Sequence, residues 1–241
     1  FIKLMKININ NKQQFINKFL VPLNKLNENL ILKITGNKIT CTASTNDGVL
    51  ILHCAYTIDS EVEENCNLNI PNISKLIKVL SCITSDDIQI VYDRNCLQYT
   101  SSDIKFKYHL LEDGILVAPA ISLDKIKKLD FNTHAKIDYD SISNLLRGST
   151  FTTDTNKIYF STKDGALYGE LTDKQKHNVD SYTQFIASEY KGDDLAVPLP
   201  LDFEVVRLIS TIRFDTINMH IAQANNVFMF DIDSENSKLN Y

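Results

Sequence analysis

Apolar and polar residues alternate at a period of two along most of this chain. Only four stretches lengthen to the period of a helix. The alternating runs fall at 29–35, 38–44 and 49–58, then at 88–92, 97–100 and 104–111. In the second half they fall at 157–162, 166–171, 179–187, 214–222 and 226–231. Gly36-Asn37, Asn46-Asp47-Gly48 and Asp93-Arg94-Asn95 separate them with turn chemistry. The first helical stretch is 11–20, with Phe15, Ile16, Phe19 and Leu20 on one side and Pro22 as its expected end. The second is 72–83, with Ile73, Leu76, Ile77 and Leu80 together. The third is 141–150 (Ile142, Leu145, Leu146), and the fourth is 202–212 (Val205, Val206, Leu208, Ile209, Ile212). Helices that interrupt an antiparallel strand series predict an α+β protein with helices on one face of its sheets.

The pattern is written twice. Residues 37–48 read N-K-I-T-C-T-A-S-T-N-D-G, and 156–165 read N-K-I-Y-F-S-T-K-D-G. Residues 76–81 (L-I-K-V-L-S) match 205–210 (V-V-R-L-I-S) at an offset of 207 − 78 = 129, which Ile88 and Ile217 share. A long fixed period means that one folded unit is used more than once. The expected division is a first domain at 1–114, a connector at 115–130 and a second domain at 131–241. The connector carries the apolar run 115–120 and is long for a link. Such a segment either packs on the domains or offers an apolar edge to a partner.

The polar faces of the helices carry one sign. At 100° per residue, Lys75 and Lys78 lie opposite the second apolar stripe, and Arg207 lies opposite the fourth. Arg147 points away from Ile142, Leu145 and Leu146, and Lys18 away from Phe15 and Phe19. Lys12 sits at a helix start, nearer the apolar side. Asp140, Asp202 and Glu204 fall at helix starts, where they complement the dipole. The other acids gather in expected loops and strand ends, as at 61–64 and 231–235.

Charge changes the picture because the chain as a whole is acidic. It has 25 Lys+Arg against 30 Asp+Glu in 241 residues, a net charge of −5. Attraction to nucleic acid must then come from placement, not from sum. Five cysteines, Cys41, Cys54, Cys66, Cys82 and Cys96, form no C-x-x-C and fit reduced thiols in a cytoplasmic compartment. No apolar run reaches the ~18–20 residues of a membrane span. The five histidines (His53, His109, His134, His177, His220) are scattered, so no metal site is expected. With 7 Gly, no phosphate loop and no nucleophile in a recognisable setting, the sequence offers no enzyme and no cofactor.

Duplicated β-α-β-β-β copies, four helices with basic outer faces, an acidic total and an apolar connector together resemble the DNA sliding clamps. The stretch Ile115-Leu116-Val117-Ala118-Pro119, running on to 136–147, is similar to the connector and third helix of the T4-type phage clamps. The resemblance spans about Met5 to Tyr241 and rests on order and pattern, with no short signature.

The resemblance implies two clamp-type domains per chain, with paired helices inside and sheets outside, and a closed homotrimer around duplex DNA. It implies a replicative DNA polymerase and an ATP-dependent clamp loader as partners, in the cytoplasm of the host if phage-encoded. It makes Lys12, Lys18, Lys75, Lys78, Arg147 and Arg207 DNA-facing. It places Ile104, Phe106, Tyr108 and Leu110 of one subunit against Tyr182 and Phe185 of the next. It gives Ile115, Val117 and Pro119 to partner peptides. Two other readings stay open: a monomeric clamp-fold factor that binds DNA by one basic face, and a phage structural or assembly protein without a DNA role.

Overall fold

The computed structural model describes residues 4–241, without the side chain of Glu63. The chain divides into two compact units: Phe1–Leu123 with Ser234–Leu239, and Asp124–Asp233 with Asn240–Tyr241. The division falls inside the segment expected to connect the halves.

In the first unit, β1 (Met5–Ile9) leads into a helical run made of α1 (Lys12–Phe15), a π segment (Ile16–Leu20) and α2 (Val21–Asn24). Asn11 caps the run by accepting from the Gln14 N–H at 2.8 Å. Pro22 does not end the helix. Ahead of it the Val21 N–H donates to Ile16 O, five residues back. A π turn widens the backbone where the proline ring would otherwise meet the carbonyl four residues earlier. The helix therefore continues to Asn24.

Strands β2 (Leu30–Ser44) and β3 (Ile51–Ile70) form a long antiparallel ladder. Gly36-Asn37 is no hairpin here. It is an irregularity in continuous β2, with Gly36 at φ +56°. The register steps from Ile34↔Cys66 through Gly36↔Val62 to Lys38↔Thr57. The step also flips parity. Leu30, Leu32 and Ile34 are buried before it, and Ile39, Cys41 and Ala43 after it. A one-residue slip exchanges the faces of a strand, so the bulge keeps one apolar face across two out-of-phase halves. The extra residues sit in β3, and they include Glu61 and Glu64, which the sequence had placed in a loop.

After β3 comes α3 (Ile73–Ser81), then β4 (Ile88–Asp93), β5 (Cys96–Thr100) and β6 (Lys105–His109). The sheet order is β1-β4-β5-β6. Ile73, Leu76 and Leu80 of α3 are buried. In the same core Phe15 stacks on Phe19 at 5.3 Å and meets Tyr56 edge-on at 5.0 Å. Asn72 caps α3 on the Lys75 N–H at 2.8 Å. Tyr108 of β6 locks that cap: its hydroxyl donates to Asn72 O at 2.7 Å and accepts from Asn72 N–H at 3.1 Å.

A short helix α4 (Leu123–Ile126) precedes the strands of the second unit. These open with β7 (Thr133–Asp138), followed by α5 (Tyr139–Gly148), β8 (Lys157–Lys163), β9 (Ala166–Leu171) and β10 (Tyr182–Ala187). Then come β11 (Tyr190–Gly192), β12 (Leu199–Asp202), α6 (Phe203–Ser210), β13 (Thr216–Ala222), β14 (Val227–Asp233) and β15 (Ser237–Asn240). One sheet runs β10-β9-β8-β12, and β11-β7-β13-β14 are neighbours in order in another. Asp202 caps α6 by accepting from Glu204 N–H at 2.9 Å. Gly148 lets α5 close on β10: a Cβ there would lie 2.2 Å from the Tyr182 ring. The repeat offset is physical. Leu76 and Val205 are both buried, Ile88 and Ile217 both sit in core strands, and Lys78 and Arg207 are both exposed.

Candidate nucleic-acid interface

Each unit presents a helix pair whose apolar sides are buried and whose outer sides carry cations. In the first unit α3 packs against the π segment and α2. Lys75 and Lys78 are exposed on α3, and neither makes an ion pair among the described residues. Lys18 is half-buried on the π segment.

Lys12 departs from its expected role. It is 3% exposed, and its Nζ donates to Ile83 O inside the fold. Its backbone N–H donates to Asp86 O at 2.9 Å, so backbone and side chain are both tied to the segment that follows α3. Lys25, which the sequence reading left unassigned, is exposed just past α2. It follows Lys18 by seven residues, past the π segment and α2. Ending the helix at Pro22 left it outside the helical set.

In the second unit α5 and α6 pack together. Arg147 is exposed near the C-terminal end of α5, where a cation also complements the helix dipole. Arg207 is exposed on α6, but it is engaged twice. Its guanidinium pairs with Glu204 at 3.1 Å and sits 5.2 Å from the centroid of the Phe203 ring. Glu204, expected only to serve the helix start, thus holds the arginine as well. Arg213, exposed in the turn after α6, is a further cation that no helical period pointed to.

The strands named for subunit contact lie at sheet edges: β6 at one end of β1-β4-β5-β6 and β10 at one end of β10-β9-β8-β12. Along β6, Phe106 and Tyr108 are half-buried, while Lys105, Lys107 and His109 are exposed; Ile104, just before it, is half-buried and Leu110, just after it, is buried. Phe106 stacks on Tyr99 at 5.8 Å. On β10, Tyr182 is half-buried with its hydroxyl donating to Gln184 Oε1 at 2.7 Å, and Phe185 is 49% exposed. In the connector Ile115 is 58% exposed and Val117 90%, whereas Pro119 is half-buried.

Among the described residues no group of three or more His, Cys, Asp or Glu is set to hold a metal ion. His134 Nδ1 lies 2.7 Å from His220 Nδ1, with His220 Nε2 3.4 Å from Asp231. The contact joins the adjacent strands β7 and β13. All five cysteines are free thiols. Cys41 and Cys54 oppose each other across β2 and β3, and burial pushes the Cys41 thiol up to about 12. No helix among the described residues is long and apolar enough to cross a membrane.

No protein-family model matches the chain, and no curated protein matches it by sequence. Solved structures do match. The chain superposes on PCNA of A. fulgidus, in the structure with the bound C-terminal region of FEN-1, at TM-score 0.78 and 10% identity, covering 98% of this chain and 95% of that one. It superposes on the proliferating cellular nuclear antigen of Entamoeba histolytica at TM-score 0.75 and 13% identity, covering 98% and 96%. A protein from Eubacterium rectale named as a DNA polymerase III beta subunit matches at TM-score 0.73 and 12% identity, over 99% of this chain and 64% of that one. At such identities a superposition speaks for architecture alone, and the architecture is plain: this chain has the sliding-clamp fold.

Proposed function

We propose that this protein is a DNA polymerase processivity factor, a homotrimeric sliding clamp that encircles duplex DNA and tethers the replicative polymerase. The observation that carries the reading is the exposed cationic face on the helices of each duplicated unit, in a chain that is acidic overall. A clamp does no chemistry on DNA. Encirclement replaces escape into solution by sliding along a line, and tethering raises the effective concentration of polymerase at the primer end. The lining must attract phosphate without gripping it. A lysine ~10 Å from a phosphate across water gains about 0.4 kcal/mol, and screening over ~8 Å at physiological salt weakens it further. Many such contacts with no base-edge readout leave the protein free to move in sequence-independent fashion.

In this reading Lys18, Lys75, Lys78, Arg147 and Arg207 face DNA, joined by Lys25. The edge of β6 in one copy pairs with the edge of β10 in the next. The exposed Ile115 and Val117 receive a polymerase or ATP-dependent loader peptide. The T4-type phage setting, and with it a host-cell cytoplasm, rests on the sequence resemblance alone.

The test is topological. Protein loaded on nicked circular DNA should co-elute with it through gel filtration and be released on linearisation. Equal release from circular and linear forms would refute encirclement. Light scattering that finds a single-chain mass at micromolar concentration would favour a monomeric factor held by one basic face.

A further inference from the structure

Two histidines oppose each other across β7 and β13: His134 and His220 are direct partners in the antiparallel register. Ala135, Ile137, Met219 and Ile221, which alternate with them, are buried. The imidazoles therefore stand on the other face of the sheet, half-buried and within reach of solvent. Their Nδ1 atoms lie 2.7 Å apart, and the rings meet edge-on with centroids 4.9 Å apart. Phe131 flanks His220, edge-on at 6.3 Å.

The other ring nitrogen of His220, Nε2, lies 3.4 Å from Asp231 Oδ2. Asp231 is held in turn by Asn240, whose side-chain N–H donates to Oδ1. A carboxylate at this place favours the His220 tautomer with its proton on Nε2, which leaves the lone pair on Nδ1. His134 then donates through Nδ1–H. The same carboxylate–imidazole arrangement orients histidines that ligate metal ions.

We infer that His134 Nδ1 and His220 Nδ1 form a two-histidine site for a divalent late transition ion, with Asp231 orienting His220. Spacing selects the ion. With metal–nitrogen bonds of about 2.0–2.1 Å, two ligands at 90° stand about 2.9 Å apart, and at the tetrahedral angle about 3.3 Å. The 2.7 Å between the nitrogens is nearer the first. Ni²⁺ or Cu²⁺, which accept tetragonal positions, thus fit with less opening than tetrahedral Zn²⁺. Mg²⁺ and Ca²⁺ want oxygen ligands and are excluded. On binding, both Nδ1 lone pairs go to the ion. The His134 Nδ1 proton leaves to water and Nε2 gains one from water, so both rings stay neutral. Two protein ligands, one fewer than a catalytic zinc site supplies, leave the remaining positions to water, and the ion exchanges. Lys191, across from His134 on β11, and Lys136 on β7 are exposed on the same face. Their flexible stems carry the charge into solvent. The site lies wholly in the second unit and requires neither DNA nor a second copy, so it stands apart from the clamp reading.

NiCl₂ titrated into the full chain, without a polyhistidine tag, tests it. Paramagnetic Ni²⁺ should broaden the imidazole signals of His134 and His220 at substoichiometric amounts, before those of His53, His109 and His177. This readout needs no variant to fold. Calorimetry should show affinity at least tenfold weaker on His134→Ala and on His220→Ala. Asp231→Asn should weaken it about tenfold, the range of an outer partner of a ligating histidine. A tenfold excess of MgCl₂ should leave the broadening unchanged. Equal broadening of all five histidines would mean an adventitious ion only and would overturn the site. So would first broadening at another histidine, undiminished binding to either folded alanine variant, affinity unchanged in folded Asp231→Asn, or displacement by Mg²⁺.

Discussion

The two helix pairs of this molecule share a frame and a sign of charge but hold their cations differently. In the first unit Lys75 and Lys78 stand on α3 without an acidic partner among the described residues. In the second, Arg207 is braced by Glu204 and by the face of Phe203. Lysine is a compact, strongly hydrated charge on a flexible stem, whereas arginine has a planar fork that can be fixed by stacking and pairing. The first face therefore offers loose, mobile charge and the second a fixed and partly neutralised one. Lys78 and Arg207 thus occupy matching exposed positions and present their charge differently.

Several experiments would break or sharpen that contrast. The largest effect should come from outside both faces. Phe185→Asp puts a charge on the half-exposed ring of the β10 edge and should reduce the assembly to single chains by light scattering. An unchanged mass would detach β10 from subunit contact. Next, Lys75→Ala/Lys78→Ala should lower the steepness of log K for DNA against log salt by about 2, since each phosphate contact contributes about 0.9. Arg147→Ala/Arg207→Ala should lower it by less, because Arg207 is already tied to Glu204. The reverse ranking would contradict the loose-against-fixed contrast.

Gly148→Ala drives a methyl into the Tyr182 ring and should cost the second unit about 1–3 kcal/mol in denaturant melts. The first unit has no equivalent contact. Lys12→Ala strips the buried carbonyl of Ile83 of its donor and should cost about 1–3 kcal/mol, with DNA affinity unchanged. A loss of DNA affinity without a loss of stability would return Lys12 to the DNA-facing set. The smallest change is Glu204→Gln, which frees Arg207. It should raise DNA affinity by a factor of about 2, in keeping with an exposed pair worth less than about 1 kcal/mol.

Much of this fold could be read from residue order, and the failures have identifiable causes. The caps at Asn72 and Asp202 and the buried stripes of α3, α5 and α6 follow from local chemistry that the sequence states openly. Gly36-Asn37 misled because a glycine at positive φ serves a bulge as well as a hairpin, and only the partner strand decides between them. Strands β1, β7, β11, β12 and β15 lie outside the alternating runs because they are short and gain their order from neighbours far along the chain. Lys12 was given to DNA by the family resemblance although it lies nearer the apolar side of its helix, and neither signal registers a carbonyl 71 residues away that needs a donor. Lys75, Lys78, Arg147 and Arg207 are exposed because on α3, α5 and α6 the amphipathic period matches the buried side.

The π turn at Ile16–Leu20 carries a last consequence. It holds one more residue than an α-helical turn of the same span, so the helix beyond it is phased by that single insertion. Deleting one residue there would restore α geometry and press the ring of Pro22 onto the carbonyl four residues before it. The length of this segment is thus a fixed quantity, and variants that shorten it should lose the proline-bearing turn before they lose the strands around it.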